Sequence, residues 1–237
     1  MNAAGPNTLH EAPLPENEAP APEAPYSFRR EIARKLIHFL GLLVPGIYYF
    51  VSRQTALTIL AAICATGVLL DVVRHRHQKI MQVFDMCFGR VLRTRERDAQ
   101  GRHLNAVTWF FLAAMVSVAV FPKYITIVSM VIALFGDAAA ALVGRWLGRT
   151  RFYRNKSVEG SVGFILVASM AVVLLPKIGS RPAEYVIGVA AAFVGSVAEL
   201  TPVEIVDDNF IVPLTIAGSM WLLYKLFLPG MDLHYGF

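Results

Sequence analysis

Long apolar stretches separated by short polar or charged ones recur along this chain from residue 36 to residue 228. Seven runs stand out, at 36–51, 55–73, 106–121, 124–143, 161–175, 183–200 and 210–228. Each approaches the ~20 apolar residues that a helix needs to cross a bilayer core. The pattern predicts an all-α protein, a polytopic integral membrane helical bundle of about seven transmembrane helices. Residues 1–25 break it: they are rich in Pro, Ala and Glu and nearly free of large apolar side chains. Such a segment builds no core and is expected to be a disordered tail. It has neither the basic start nor the apolar stretch of a signal peptide. The expected organisation is therefore a tail over 1–25 and a membrane-embedded domain over 26–237.

Composition narrows the chemistry. With 56% hydrophobic residues in a chain of 237, little remains for a soluble domain, so any reaction takes place at or within the membrane. The net charge of +5 is unevenly placed. Arg29, Arg30, Arg34 and Lys35 precede the first run; the connection between the second and third carries eight cations from Arg74 to Arg102. Arg145, Arg149, Arg151, Arg154 and Lys156 fill the loop after the fourth run, whereas the alternate connections carry only Arg53, Lys123, Lys177 and Arg181. The positive-inside rule then puts the N-terminus and the basic loops in the cytoplasm. Cations lining a membrane surface, with no soluble aromatic-bearing domain, argue against a nucleic-acid partner. Within 74–105, Ile80, Phe84, Cys87 and Val91 recur at helical spacing, as in a basic amphipathic helix lying on the leaflet. Cys64 and Cys87 have no metal-ligand spacing and read as small hydrophobes.

The chemistry concentrates at 135–163, FGDAAAALVGRWLGRTRFYRNKSVEGSVG. An acid in an apolar helix is costly and is a functional candidate by default, which singles out Asp137. Gly136, Ala140, Gly144 and Gly148 form a small-residue stripe where another helix can approach closely. Asp137 and Arg145 share a neighbouring stripe two turns apart, or ~12 Å, a span suited to a metal and a polyphosphate. The ordinary alternative is a buried acid neutralised by another helix, with arginines that only mark the cytoplasmic end. Ser157 fits a helix N-cap with Glu159 in the first turn, and such a start favours anions, the more so beside Lys156. Gly160 and Gly163 leave room for a backbone or a ligand. Glu159 beside an anion site makes sense if a divalent cation bridges the two.

Two further polar groups lie at cytoplasmic ends. Lys35 and His38 share a face at the entry to the first run, where snorkelling cations are the ordinary reading. Glu199, Thr201, Glu204, Asp207, Asp208 and Asn209 separate the last two runs. Asp207 and Asp208 read equally well as a turn with a helix cap and as a metal or general-base site. Asn105 and Thr108 open the third run with polar contacts. No internal repeat, Walker loop, HExxH or GxSxG is present, so a P-loop enzyme or a membrane metalloprotease has no support.

Taken together and in order, these residues resemble a known family. R-K-x-x-H at 34–38, G-D-A-A-A-A-x-V-G at 136–144, G-R-x-x-G at 144–148, K-S-V-E-G-S at 156–161 and D-D-N at 207–209 are similar to motifs of the CTP-dependent membrane lipid kinases. Those include dolichol kinase, phytol kinase and the CTP-using diacylglycerol kinase. The resemblance spans nearly everything but the tail. It implies transfer of the CTP γ-phosphate to the hydroxyl of a long-chain lipid alcohol, with CTP as co-substrate and Mg²⁺ as metal. On this basis Asp137, Glu159, Glu199 and Asp208 are the expected metal ligands. Gly144, Arg145, Gly148, Lys156, Ser157, Glu159, Gly160 and Asn209 are expected at the nucleotide, and Asp137, Asp207, Asp208, Lys35 and His38 at the reacting groups. The central pattern also looks like phosphatidate cytidylyltransferase, which joins CMP to a lipid phosphate. A third reading is a small transporter or scaffold with Asp137 as its coupling site.

Overall fold

A computed structural model describes residues 36, 38–76, 104–151, 156–200 and 206–233. The tail, Lys35, the proposed amphipathic helix with Cys87, Arg154, Thr201 and Glu204 lie outside the described residues. Seven apolar helices account for most of the rest: α1 (Leu43–Phe50), α2 (Arg53–Arg76), α3 (Ala106–Val120), α4 (Lys123–Trp146), α5 (Val158–Leu174), α6 (Pro182–Leu200) and α7 (Asp208–Phe227). Among the described residues there is no strand, only an isolated antiparallel bridge between Arg151 and Ser157. The all-helical expectation holds, and each apolar run coincides with a helix. By length and composition, α2, α4, α6 and α7 can each cross a membrane, while α1, α3 and α5 are shorter apolar helices.

The first run differs most from a simple span. It contains a 3-10 turn at Leu40–Leu42 before the eight residues of α1. Pro45 has no N–H to return to the carbonyl of Gly41, so a regular α-ladder cannot run through this point.

α4 is the hub. It packs against α5, α7, α1, α6 and α3, while α2 packs principally on α3. The stripe of small residues read from the sequence faces α5. A Cβ on Gly136 would lie 2.5 Å from the Phe164 ring, and one on Gly160 would lie 2.8 Å from the Ala140 carbonyl oxygen. The two helices therefore cross at close range, as small-residue interfaces in membranes allow. α7 seals the other side of α4 through Val212, Ile216, Met220 and Tyr224.

Helix ends collect in two layers. At one end Lys123 donates to the Tyr49 and Val51 carbonyls (2.8 and 3.2 Å), Arg53 donates to the Ala119 carbonyl, and Tyr224 bridges Tyr124 and Glu184. At the other end lie His38, Asp71, Asn105, Lys156, Glu199 and Asp208, joined by the contacts described next.

Candidate functional site

The loop between α4 and α5 is tightly tied. Val158 N donates to the Thr150 carbonyl at 3.1 Å. The Glu159 carboxylate accepts from Thr150 N at 3.2 and 3.4 Å. Ser157 caps α5, its Oγ accepting from Gly160 N at 3.1 Å. Ser161 N is bonded to the Ser157 carbonyl in the usual way. The N–H groups of Val158, Gly160 and Ser161, in the turn expected to receive an anion, thus already have acceptors within the loop. Glu159, expected to hold a metal, instead clamps the loop from its exposed rim. Gly144, Gly148 and Gly160 are taken up by close approach: a Cβ on Gly148 would lie 2.7 Å from Ser157 Oγ, and one on Gly144 would lie 3.0 Å from it.

This tied loop aims Lys156 across the bundle. Its ammonium lies 2.8 Å from Asp208 Oδ2 and 3.2 Å from Glu199 Oε1, and it also donates to the Glu199 backbone carbonyl. Of the three donors of a lysine ammonium, two have protein acceptors here, and the charge pairs with both carboxylates. Burial works against its charge, but Glu199 and Asp208 outweigh that and hold the Lys156 pKa above the usual lysine value. The cluster stays partly open: the side chains of Lys156, Glu199 and Asp208 are 24%, 11% and 32% exposed.

Asp137 joins the cluster from α4. His38 Nε2 lies 3.4 Å from Asp137 Oδ2, with the two side chains 19% and 27% exposed. Asp137 is also close enough to Glu199 for their charges to interact. Among the described residues, three carboxylates (Asp137, Glu199 and Asp208) and one ammonium gather here. That surplus of hard oxygen donors suits a divalent cation. Even so, no group of three His, Cys, Asp or Glu among the described residues is arranged as a ready metal site.

The structure separates the two neighbouring acids that the sequence left ambiguous. Asp207 is the N-cap of α7, accepting from Asn209 N at 2.9 Å and from Asn209 Nδ2 at 2.6 Å. Asp208 points instead to Lys156. Arg145 ends α4, exposed beside the equally exposed Arg149 and Arg151. Asp207, Asn209 and Asp208 all sit in or beside the first turn of α7, so the acidic, basic and amide groups expected at the nucleotide share one end of the bundle.

Two acids escaped the sequence reading. Asp71, 3% exposed near the end of α2, accepts from Asn105 N (2.9 Å) and Thr108 Oγ1 (2.8 Å). Its position in an apolar run is the same signal that singled out Asp137. Glu184, 1% exposed at the opposite end, accepts from the N–H groups of Ile178, Gly179 and Arg181, each at 2.9 Å, and from Tyr224 at 3.3 Å. Following a polar loop, it looks in sequence like an ordinary first-turn acid.

Comparisons with known proteins bear on this cluster. No family model and no solved structure matches the chain. A CTP-dependent diacylglycerol kinase of Schizosaccharomyces pombe is 26% identical over 215 residues, covering 84% of this chain and 95% of that one. A CTP-dependent diacylglycerol kinase of Eremothecium gossypii is 26% identical over 219 residues, covering 81% and 67%. An uncharacterised protein of Rickettsia prowazekii is 27% identical over 193 residues, covering 81% and 94%. The likeness runs over most of the chain and supports the resemblance to CTP-dependent lipid kinases read from the ordered motifs.

Proposed function

We propose that this protein is a CTP-dependent lipid kinase that transfers the γ-phosphate of CTP to the hydroxyl of a membrane lipid. The observation that carries this reading is the gathering of His38, Asp137, Lys156, Glu199 and Asp208 at one end of the bundle, from five separate segments. The names of the yeast relatives favour diacylglycerol as acceptor over a polyprenol, dolichol or phytol. They favour a kinase over phosphatidate cytidylyltransferase as well. In this reading all seven helices cross the membrane, the N-terminus is cytoplasmic, and the basic loops and the site face the cytoplasm; the distribution of cations supports that orientation. Residues 26–237 form the catalytic unit and 1–25 a cytoplasmic tail.

Phosphoryl transfer asks a protein mainly for positioning and charge stabilisation. Arg145, with Arg149 and Arg151 from the same loop, receives the polyphosphate, together with Asn209 from the start of α7. Glu199 and Asp208 are the residues that would hold Mg²⁺, an ion commonly bound by one or two carboxylates together with substrate phosphates. When bound, it neutralises phosphate charge. Asp137 Oδ2, 3.4 Å from His38 Nε2, favours the charged imidazolium that forms if His38 takes the proton of the acceptor hydroxyl. The lipid tail stays between helices with its hydroxyl at headgroup depth.

The test is an assay of the purified protein with Mg²⁺, diacylglycerol, polyprenols, phytol and phosphatidate, using CTP labelled at the γ or the α phosphate. Lipid carrying γ label is the expected result, in the diacylglycerol tube above the others. Lipid carrying α label makes the protein a cytidylyltransferase. No label in any lipid removes the kinase reading and returns the transporter.

A further inference from the structure

The sequence invites the view that Lys156 binds phosphate, and its surroundings argue otherwise. We propose that Lys156 is a positioning residue, acting on the reaction through Glu199 and Asp208 rather than on the nucleotide. The proposal rests on the kinase reading above and assigns a role within its site.

Three observations carry it. First, the ammonium is already engaged by protein oxygens: it donates to Asp208 Oδ2 and to the Glu199 carbonyl and pairs with Glu199 Oε1 at 3.2 Å. Second, the bond to the Glu199 carbonyl ties the lysine to the last turn of α6, while the bond to Asp208 ties it to the first turn of α7. One side chain thereby fixes the spacing of two carboxylates on different helices. Third, its recorded contacts are with one oxygen of each carboxylate, Glu199 Oε1 and Asp208 Oδ2. Without the lysine, two partly buried like charges would stand close together with no counter-ion, and each would swing toward water. The strapped loop explains why the side chain is so placed: the Arg151–Ser157 bridge and the Val158–Thr150 bond fix the backbone on either side of it.

The two roles separate in kinetics. A lysine that binds phosphate contributes to nucleotide affinity, and its loss raises KM for CTP. A lysine that sets the geometry of other groups contributes to turnover, and its loss lowers kcat with KM little changed. Residues that orient the groups acting directly are worth roughly 10–100-fold in activity. Arginine, whose planar fork can also span two carboxylates, preserves the bridge.

The experiment uses the full chain in lipid nanodiscs as wild type, Lys156→Met and Lys156→Arg. Lys156→Met is expected to lower kcat by roughly 10–100-fold with KM for CTP within about threefold, and Lys156→Arg to recover most of the loss. A stability cycle reads the bridge independently of activity: melting temperatures of Lys156→Met, of Glu199→Gln with Asp208→Asn, and of the triple variant. The expected result is that the triple variant melts above Lys156→Met, because the uncompensated acids are gone. A rise of about tenfold or more in KM at unchanged kcat overturns the proposal in favour of phosphate contact. Additive melting shifts overturn the bridge itself. A wild-type protein that labels no lipid overturns the kinase reading, and with it the catalytic half of this proposal, while the melting cycle still judges the bridge.

Discussion

Both ends of the bundle hold acids out of water, and they answer those acids in different ways. Glu184 is met by three backbone N–H groups and a tyrosine hydroxyl, and is 1% exposed. Glu199 and Asp208 are met by the tip of a four-carbon side chain and are 11% and 32% exposed. Backbone donors belong to the fold; they cannot be traded for a ligand without unmaking the loop that carries them. A side-chain ammonium sits on rotatable bonds at the rim of a solvent-facing cluster. A buried acid is therefore a poor guide to function until its partner is known. Fixed donors mark a structural acid, and a side-chain cation beside open oxygens marks a site.

That contrast can be broken or sharpened by substitution. The largest effect is expected at Asp137→Asn, which keeps the shape of the side chain but removes the charge that orients His38. Turnover should fall by about 10⁴-fold, as in other enzymes where an orienting acid becomes an amide, with the elution profile and helix content of the purified protein unchanged. Activity near wild type would take Asp137 out of the site. Next is Glu184→Ala, expected to cost about 3–5 kcal/mol of stability, read in a denaturation series, because it strands several buried donors. Activity per folded molecule should be unaltered; a specific loss of turnover would erase the distinction between the two ends. Arg145→Gln should raise KM for CTP by roughly tenfold and flatten its dependence on salt, since an exposed cation acts through screened attraction. The smallest change is Tyr224→Phe, which removes the hydroxyl between Tyr124 and Glu184 and should cost about 1 kcal/mol in the same denaturation assay, with kinetics untouched.

What the sequence revealed and what it hid follow from the range of each interaction. Apolar runs report their own helices because burial is decided run by run, and the stripe at Gly136, Ala140 and Gly144 announced a close helix contact because spacing along one helix is local. Caps were legible for the same reason: Ser157 and Asp207 each act within three residues. The partners of Lys156 were not, since Glu199 and Asp208 lie 43 and 52 residues away. The sequence showed a lysine beside a helix start and suggested an anion site, whereas packing supplied carboxylates first. At Glu159 an acid near basic residues suggested a metal, while the folded loop gives its carboxylate the Thr150 N–H as a donor. Ambiguity at Asp207 and Asp208 had no local solution, because one faces its own helix and the other faces a different segment.

The hook between Asp71 and α3 bears on how the chain is made. Asp71 finds the Asn105 N–H and the Thr108 hydroxyl only 34 and 37 residues further along. As the chain emerges, α2 reaches the lipid carrying an acid whose two donors at the start of α3 have not yet been synthesised. A lone aspartate costs an inserting helix about 2.5–3.5 kcal/mol at its centre and less toward its end. The α2 segment therefore gains by lingering beside the insertion machinery until α3 arrives, so that the pair enters the bilayer as a hairpin.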